Sequence, residues 1–193
     1  VQNASFRSEQ LNHANVQLAV AGKEAMLRKA FVGRGISWPA TGLALQVLKD
    51  RGVLEVRGAG PSGDATVLRA FRLCTGPDGT NAPRPLDALV EGAYHIDRFF
   101  PRDLEYQLAV SVAGPVDAPP PKGATGTRKA RKGGAPDPLL IRGGCAASGH
   151  LHVGDEGMQE LYVLLMEATS AGQKEIPVRI LSGAPTPAAG ASP

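Results

Sequence analysis

The segment GLALQVLKDRGVLEVRG, residues 42–58, leaves the chain the least freedom. Leu43, Leu45 and Val47 alternate with Ala44 and Gln46, Asp50 to Gly52 supply turn residues, and Val53 to Arg57 alternate again. A period of two sends successive side chains to opposite faces of a strand, and turn residues between two such runs specify an antiparallel hairpin. A doubly wound fold needs parallel strands separated by helices, so a domain that opens its strand region this way falls outside that class.

The same period recurs downstream. In ATVLRAFRLCTG it sets Val67, Arg69, Phe71 and Leu73 on one face and Leu68, Ala70, Arg72 and Cys74 on the other. GAYHIDRF, YQLAVSVAG and IPVRILSG are further strand candidates, for five or six strands in all. Two segments carry the helical period instead. Val16, Val20, Leu27 and Phe31 mark a helix ending near Val32, with Gly33 and Gly35 as its stop. Met158, Leu161, Tyr162 and Leu165 mark a second helix, with Asp155 expected as N-cap and Gly172 at the C-terminal cap. Residues 1–15 are polar and poorly periodic and receive no element. The expectation is a mixed α/β, β-rich domain with an N-terminal helix and a long amphipathic helix near the C-terminus.

A chain of 193 residues is ordinarily one domain. Within it, residues 1–39 read as an N-terminal helical segment and 40–182 as the β-rich domain. Residues 115–137, rich in Pro, Gly and basic residues, read as a flexible loop, and 183–193 as a disordered tail. The net charge of +3 is local: Lys122, Arg128, Lys129, Arg131 and Lys132 all lie in KGATGTRKARK, and without them 16 basic residues face 18 acidic ones. No aromatic residue interleaves with that run, which argues against a nucleic-acid surface. No apolar run approaches the ~18 residues of a membrane span, and VQNASFRSEQ has no charged-then-apolar leader. The chain is expected to be intracellular, or exported with its signal already removed.

Chemistry concentrates in PLLIRGGCAASGHLHVG, residues 138–154. Three readings compete for it. Cys145 as a nucleophile needs a base to form its thiolate, and Arg142 lowers a thiol pKa without accepting a proton. A metal site would use His150 and His152, two residues apart and therefore on one face of a strand, completed by His95 and Asp155; without a paired carboxylate the signal is weak, and no metal or other cofactor is expected. The third reading pairs Cys145 with Cys74 in a disulfide and is favoured, with two buried free thiols as its alternative.

The order of segments resembles the YkuD-type L,D-transpeptidase fold, and within it the murein L,D-transpeptidase family. LALQVLKDRGVLEV, FRLCTG, VEGAYHIDRFFPRDLEYQLAVSV, LIRGGCAASGH, DEGMQELYVLLMEA and IPVRILSG stand in the family's order over about residues 40–182. The resemblance implies a β-sandwich or barrel, a periplasmic or cell-envelope location, and work on peptidoglycan stem peptides. The family's chemistry is acyl transfer through a cysteine thioester, with a histidine taking the thiol proton and backbone N–H groups holding the oxyanion.

Laid on the family motif, Arg142 stands at the histidine, Gly143 at the glycine after it, Cys145 at a non-catalytic cysteine, Gly149 at the penultimate glycine and His150 at the nucleophile. Ala147 takes the serine's place, and Ser148 follows it. Glu91, Gly92 and Tyr94 are kept. With proton acceptor and nucleophile both replaced, the resemblance implies a pseudoenzyme with no catalytic residues. It would bind peptidoglycan peptide or an envelope protein through Arg142, Gly143, Ser148, His150, His152, Tyr94 and His95. Arg142 would supply a fixed cation for carboxylates, unless it pairs with an acidic neighbour such as Asp155. The alternative is an active, divergent transpeptidase, carboxypeptidase or amidase using Cys145 or His150.

Overall fold

The computed structural model describes residues 2–74, 86, 89–105, 107–114, 138–145 and 150–182, with side chains from residue 5. The expected loop 115–137, the tail 183–193, Ser148 and Gly149 lie outside the described residues.

Two helices lead the chain. α1 (Gln2–Leu11) forms where no element was expected, because its anchors lie far away in sequence rather than in its own periodicity. Phe6 stacks edge-on against Phe99 at 5.2 Å between ring centroids, and Arg7 Nε donates to Glu167 Oε1 at 2.7 Å. α2 (Ala14–Val32) ends where expected, burying Val16, Ala19, Leu27 and Phe31. Gly33 keeps helical angles, and the left-handed residue that turns the chain away is Gly35, at φ 72°.

The hairpin is β1 (Ala44–Leu48) and β2 (Val53–Ala59), and β3 (Ala65–Arg72) extends it. A register shift departs from the expected alternation in β3: Val56 pairs with Arg69 and Arg57 with Val67, leaving Leu68 as an extra residue. The bulge turns Leu68 inward along with Phe71 and Leu73, all three buried, although alternation alone assigns Leu68 to the opposite face. β4 (Gly92–Asp103), β5 (Gln107–Ala113), β6 (Leu139–Arg142) and β7 (Leu151–His152) follow. After them come α3 (Asp155–Ser170) and β8 (Pro177–Leu181).

These eight strands make one sheet in the order β3-β2-β1-β8-β4-β5-β6-β7, antiparallel except for β1–β8 and β6–β7. Five or six strands were expected; among the described residues eight are present, and all belong to one sheet. The sheet nevertheless curls until its ends meet, because Cys74 N–H, two residues beyond β3, donates to His152 O on β7 at 2.8 Å. Among the described residues the two edge strands touch at that end, which makes a seam between them.

α3 fills the interior. Residues 161–168 are buried without interruption, Glu167 among them. A helix apolar on one stripe rests on a surface, whereas one buried all round lies between two layers. Here those layers are α1 and α2 on one side and β5 and β6 on the other. Tyr162, fully buried, packs edge-on to Phe99 at 5.3 Å and donates its hydroxyl to Gln10 Oε1 at 2.5 Å, so α1 is tied to the core by polar as well as apolar contacts. Asp155 is the first residue of α3 rather than its cap; Gly154, at φ 74°, precedes it with no side-chain cap.

Candidate functional site

The residues singled out in PLLIRGGCAASGHLHVG gather where β6 and β7 leave the sheet. Parallel pairing places Arg142 beside His152 and Ile141 beside Leu151. Since Ile141 and Leu151 are buried in the core, Arg142 and His152 lie on the face away from α3.

Arg142 is committed to carboxylates of the chain itself. Its Nη2 donates to Asp103 Oδ1 at 2.8 Å and Oδ2 at 2.9 Å, and lies 2.9 Å from Glu105 Oε2. The Arg142 and Asp103 side chains are each 11% exposed, while Glu105 is 63% exposed. This revises the expectation of an open cation. The acidic partner is also not Asp155, because the long β4–β5 hairpin brings Asp103 and Glu105 beside β6. Of the three described charges in this cluster, the Glu105 carboxylate is the most accessible.

The two histidines do not form a pair. His152 is fully buried, and its Nδ1 lies 2.7 Å from Gly143 O. A carbonyl only accepts, so Nδ1 carries the proton in that ring. His150 lies before β7, half-buried, and its Nδ1 accepts the Leu140 N–H at 3.3 Å, which places the proton of the neutral ring on Nε2. The expected common face required a strand running through both residues, and β7 begins only at Leu151. Among the described residues, no three His, Cys, Asp or Glu side chains are grouped to hold a metal ion.

The loop between β6 and α3 is fastened by its backbone. Gly144 N–H donates to Asp155 Oδ1 at 2.7 Å, and Gly154 N–H donates to Gly144 O at 3.1 Å. Gly144, at φ 67°, makes the turn that a Cβ would strain. Asp155 therefore braces this loop instead of capping its helix.

Cys74 and Cys145, the pair expected as a disulfide, meet at the same rim as thiols. The seam between β3 and β7 brings their side chains into hydrogen-bonding contact, with Cys145 exposed and Cys74 half-buried. Burial, reinforced by Cys145, pushes the Cys74 thiol up to about 11. Geometry supplies the meeting of the two sulfurs, while the covalent bond additionally needs an oxidant.

Tyr94 and His95 stand apart from this rim. His95 pairs with Ala113, four residues along β5 from the Ala109 that pairs with Arg142, and β4 is two strands from β6. Ordinary strand spacings make that separation roughly 16 Å. Tyr94 points to the other face, donates its hydroxyl to Val90 O at 2.9 Å and packs its ring against Gly114, where a Cβ would approach within 2.5 Å. Burial raises its pKa. Asp103 and Glu105 are the site residues that sequence reasoning missed. Their signal, RDLE at the tip of a hairpin, gains meaning only once the hairpin's length is known.

No protein-family model matches the chain, and no curated protein matches it. Among solved structures, it is similar to Bd1075 of Bdellovibrio bacteriovorus at 13% identity and a TM-score of 0.45, over 76% of this chain and 49% of that one. It is also similar to the helical cell shape determining protein Pgp2 of Campylobacter jejuni at 15% identity and a TM-score of 0.42, over 82% and 56%. The chain thus spans about half the length of the solved proteins it matches.

Proposed function

We propose that the chain is a non-catalytic, L,D-transpeptidase-like module of the bacterial cell envelope that binds peptidoglycan peptide or a protein partner without cleaving it. The observation that carries this reading is the ion pair of Arg142 with Asp103 and Glu105 at the position where the family motif has its base. A guanidinium cannot accept a proton, and here it is also spoken for. At the motif's nucleophile position, the neutral His150 ring presents an N–H at Nε2 and has its lone pair turned to the Leu140 amide. Neither group is set up for acyl transfer.

The electrostatics also favour one kind of ligand. Glu105 is a largely exposed carboxylate beside Arg142, so an incoming stem peptide meets it with an amino group rather than a carboxylate. Incubation with intact peptidoglycan sacculi tests the reading: the protein is expected to sediment with them, to release no muropeptides, and to sediment less as Glu105→Gln. Release of muropeptides overturns it.

The second reading, an active divergent transpeptidase, carboxypeptidase or amidase, draws on the exposure of the Cys145 thiol. A covalent carbapenem adduct on Cys145, read by intact mass, would favour it, and the non-catalytic reading expects none.

A further inference from the structure

Among the described residues, a backbone hydrogen bond from Cys74 N–H to His152 O joins the two sides of the seam between β3 and β7. Immediately beside it two thiols touch, one from each side of the seam, and they are the only cysteines of the chain. The thiols are unequal: Cys145 is exposed, on a loop braced through Gly144 by Asp155 and Gly154, and Cys74 is half-buried behind it. We infer that Cys74 and Cys145 form a reversible redox clasp, in which Cys145 receives an external disulfide and Cys74 resolves it, locking the two edges of the sheet together.

The chemistry balances as thiol–disulfide exchange with a disulfide of the general form RSSR, either a small-molecule disulfide or an oxidoreductase. The Cys145 thiolate attacks one sulfur of RSSR, forming Cys145–S–S–R and expelling RS⁻. Cys74 then loses its proton, attacks Cys145 Sγ and expels the second RS⁻. Two thiols are oxidised and one disulfide is reduced to two thiols, the two released thiolates taking up the two protons. The burial that raises the Cys74 pKa makes it slow to begin the exchange but leaves it well placed to finish it, since its target sulfur is already in contact.

The clasp would act on the candidate site through the loop it holds. Gly143 O accepts from His152, Gly144 binds Asp155, and Arg142 immediately precedes them, so fixing Cys145 to Cys74 fixes the rim that carries all three. None of this depends on whether the rim binds or cleaves peptidoglycan.

The full chain, equilibrated with oxidised glutathione and separately with dithiothreitol, provides the test. After oxidation, intact mass should be two hydrogens lower and no alkylating reagent should be taken up; the reduced protein should take up two. The oxidised form should melt higher by on the order of 10 °C, as closing so long a loop implies. Amide exchange at Cys74, whose N–H bridges the seam, should slow. Cys74→Ser should stop at the mixed disulfide, one glutathione on Cys145. Cys145→Ser should react far more slowly and lose the melting difference. Intermolecular dimers or doubly glutathionylated monomer in place of the internal bond, or equal melting and equal Cys74 exchange in the two states, would overturn the clasp.

Discussion

Arg142 illustrates how one side chain's partners change its meaning. In sequence it follows an apolar run and precedes two glycines, which fits a cation presented to a ligand. In the fold, Asp103 and Arg142 are both nearly buried, and breaking such a pair leaves an uncompensated charge. Arg142→Ala is therefore expected to lower unfolding free energy by about 3–5 kcal/mol. Glu105→Ala, on a largely exposed partner, should cost less than about 1 kcal/mol. A double-mutant cycle between Arg142 and Asp103 in urea denaturation should return a coupling of about 0.5–3 kcal/mol. An Arg142 that is free to meet ligand would show no coupling and no large single-mutant cost.

Among the elements, α3 shows how far periodicity can be pressed. Met158, Leu161, Tyr162 and Leu165 define its strongest apolar stripe, and all four are buried. The stripe does not disclose that Val163, Leu164 and Met166, outside it, are buried as well, because α1 and α2 cover the side a surface helix would leave to solvent. Leu161→Ala should cost about 2–5 kcal/mol, the range for a leucine cavity in a packed core. Leu18→Ala, at a residue of α2 that is 67% exposed, should stay within about 0.5 kcal/mol. Thermal or urea unfolding of the two variants separates the cases, and similar costs would mean that α2 buries a different face. Ion pairs tie the three helices together, since Arg7 of α1 reaches both Glu24 of α2 and Glu167 of α3, and its pKa rises through the bond to Glu167 despite partial burial.

At the scale of the molecule, two of the described groups link protonation to stability at alkaline pH. Cys74 is shifted from an ordinary value near 9 up to about 11, and burial raises the Tyr162 hydroxyl as well. In both cases the folded chain keeps its proton to a higher pH than the unfolded chain. The associated stability is complete below the ordinary values and is lost as pH rises through the shifted ones. The melting temperature should therefore fall between about pH 8.5 and pH 11. Tyr162→Phe should flatten the upper part of that decline in a circular-dichroism melting series. A decline that is equally steep in Tyr162→Phe would assign it to other groups.

The hairpin of β1 and β2, the end of α2, the extent of α3 and the closing strand β8 were all legible in the sequence because each is written in neighbouring residues: a period of two or 3.6, bounded by glycine or turn residues. α1 escaped that reading because its ties, from Phe6 to Phe99 and from Arg7 to Glu167, run to residues far along the chain. The candidate site divides the same way. The segment after β6 that carries Arg142 and Cys145 stood out through local order, and the expectation for Arg142 came from the family resemblance. That Arg142 meets Asp103 39 residues away, that His150 and His152 face different partners, and that Cys74 touches Cys145 followed only from strand order and register. Backbone periodicity is a property of consecutive residues, so it survives in a single sequence. Which strand edges meet depends on the bulges, hairpin lengths and curl of an eight-stranded sheet acting together, and those exist only in the folded chain.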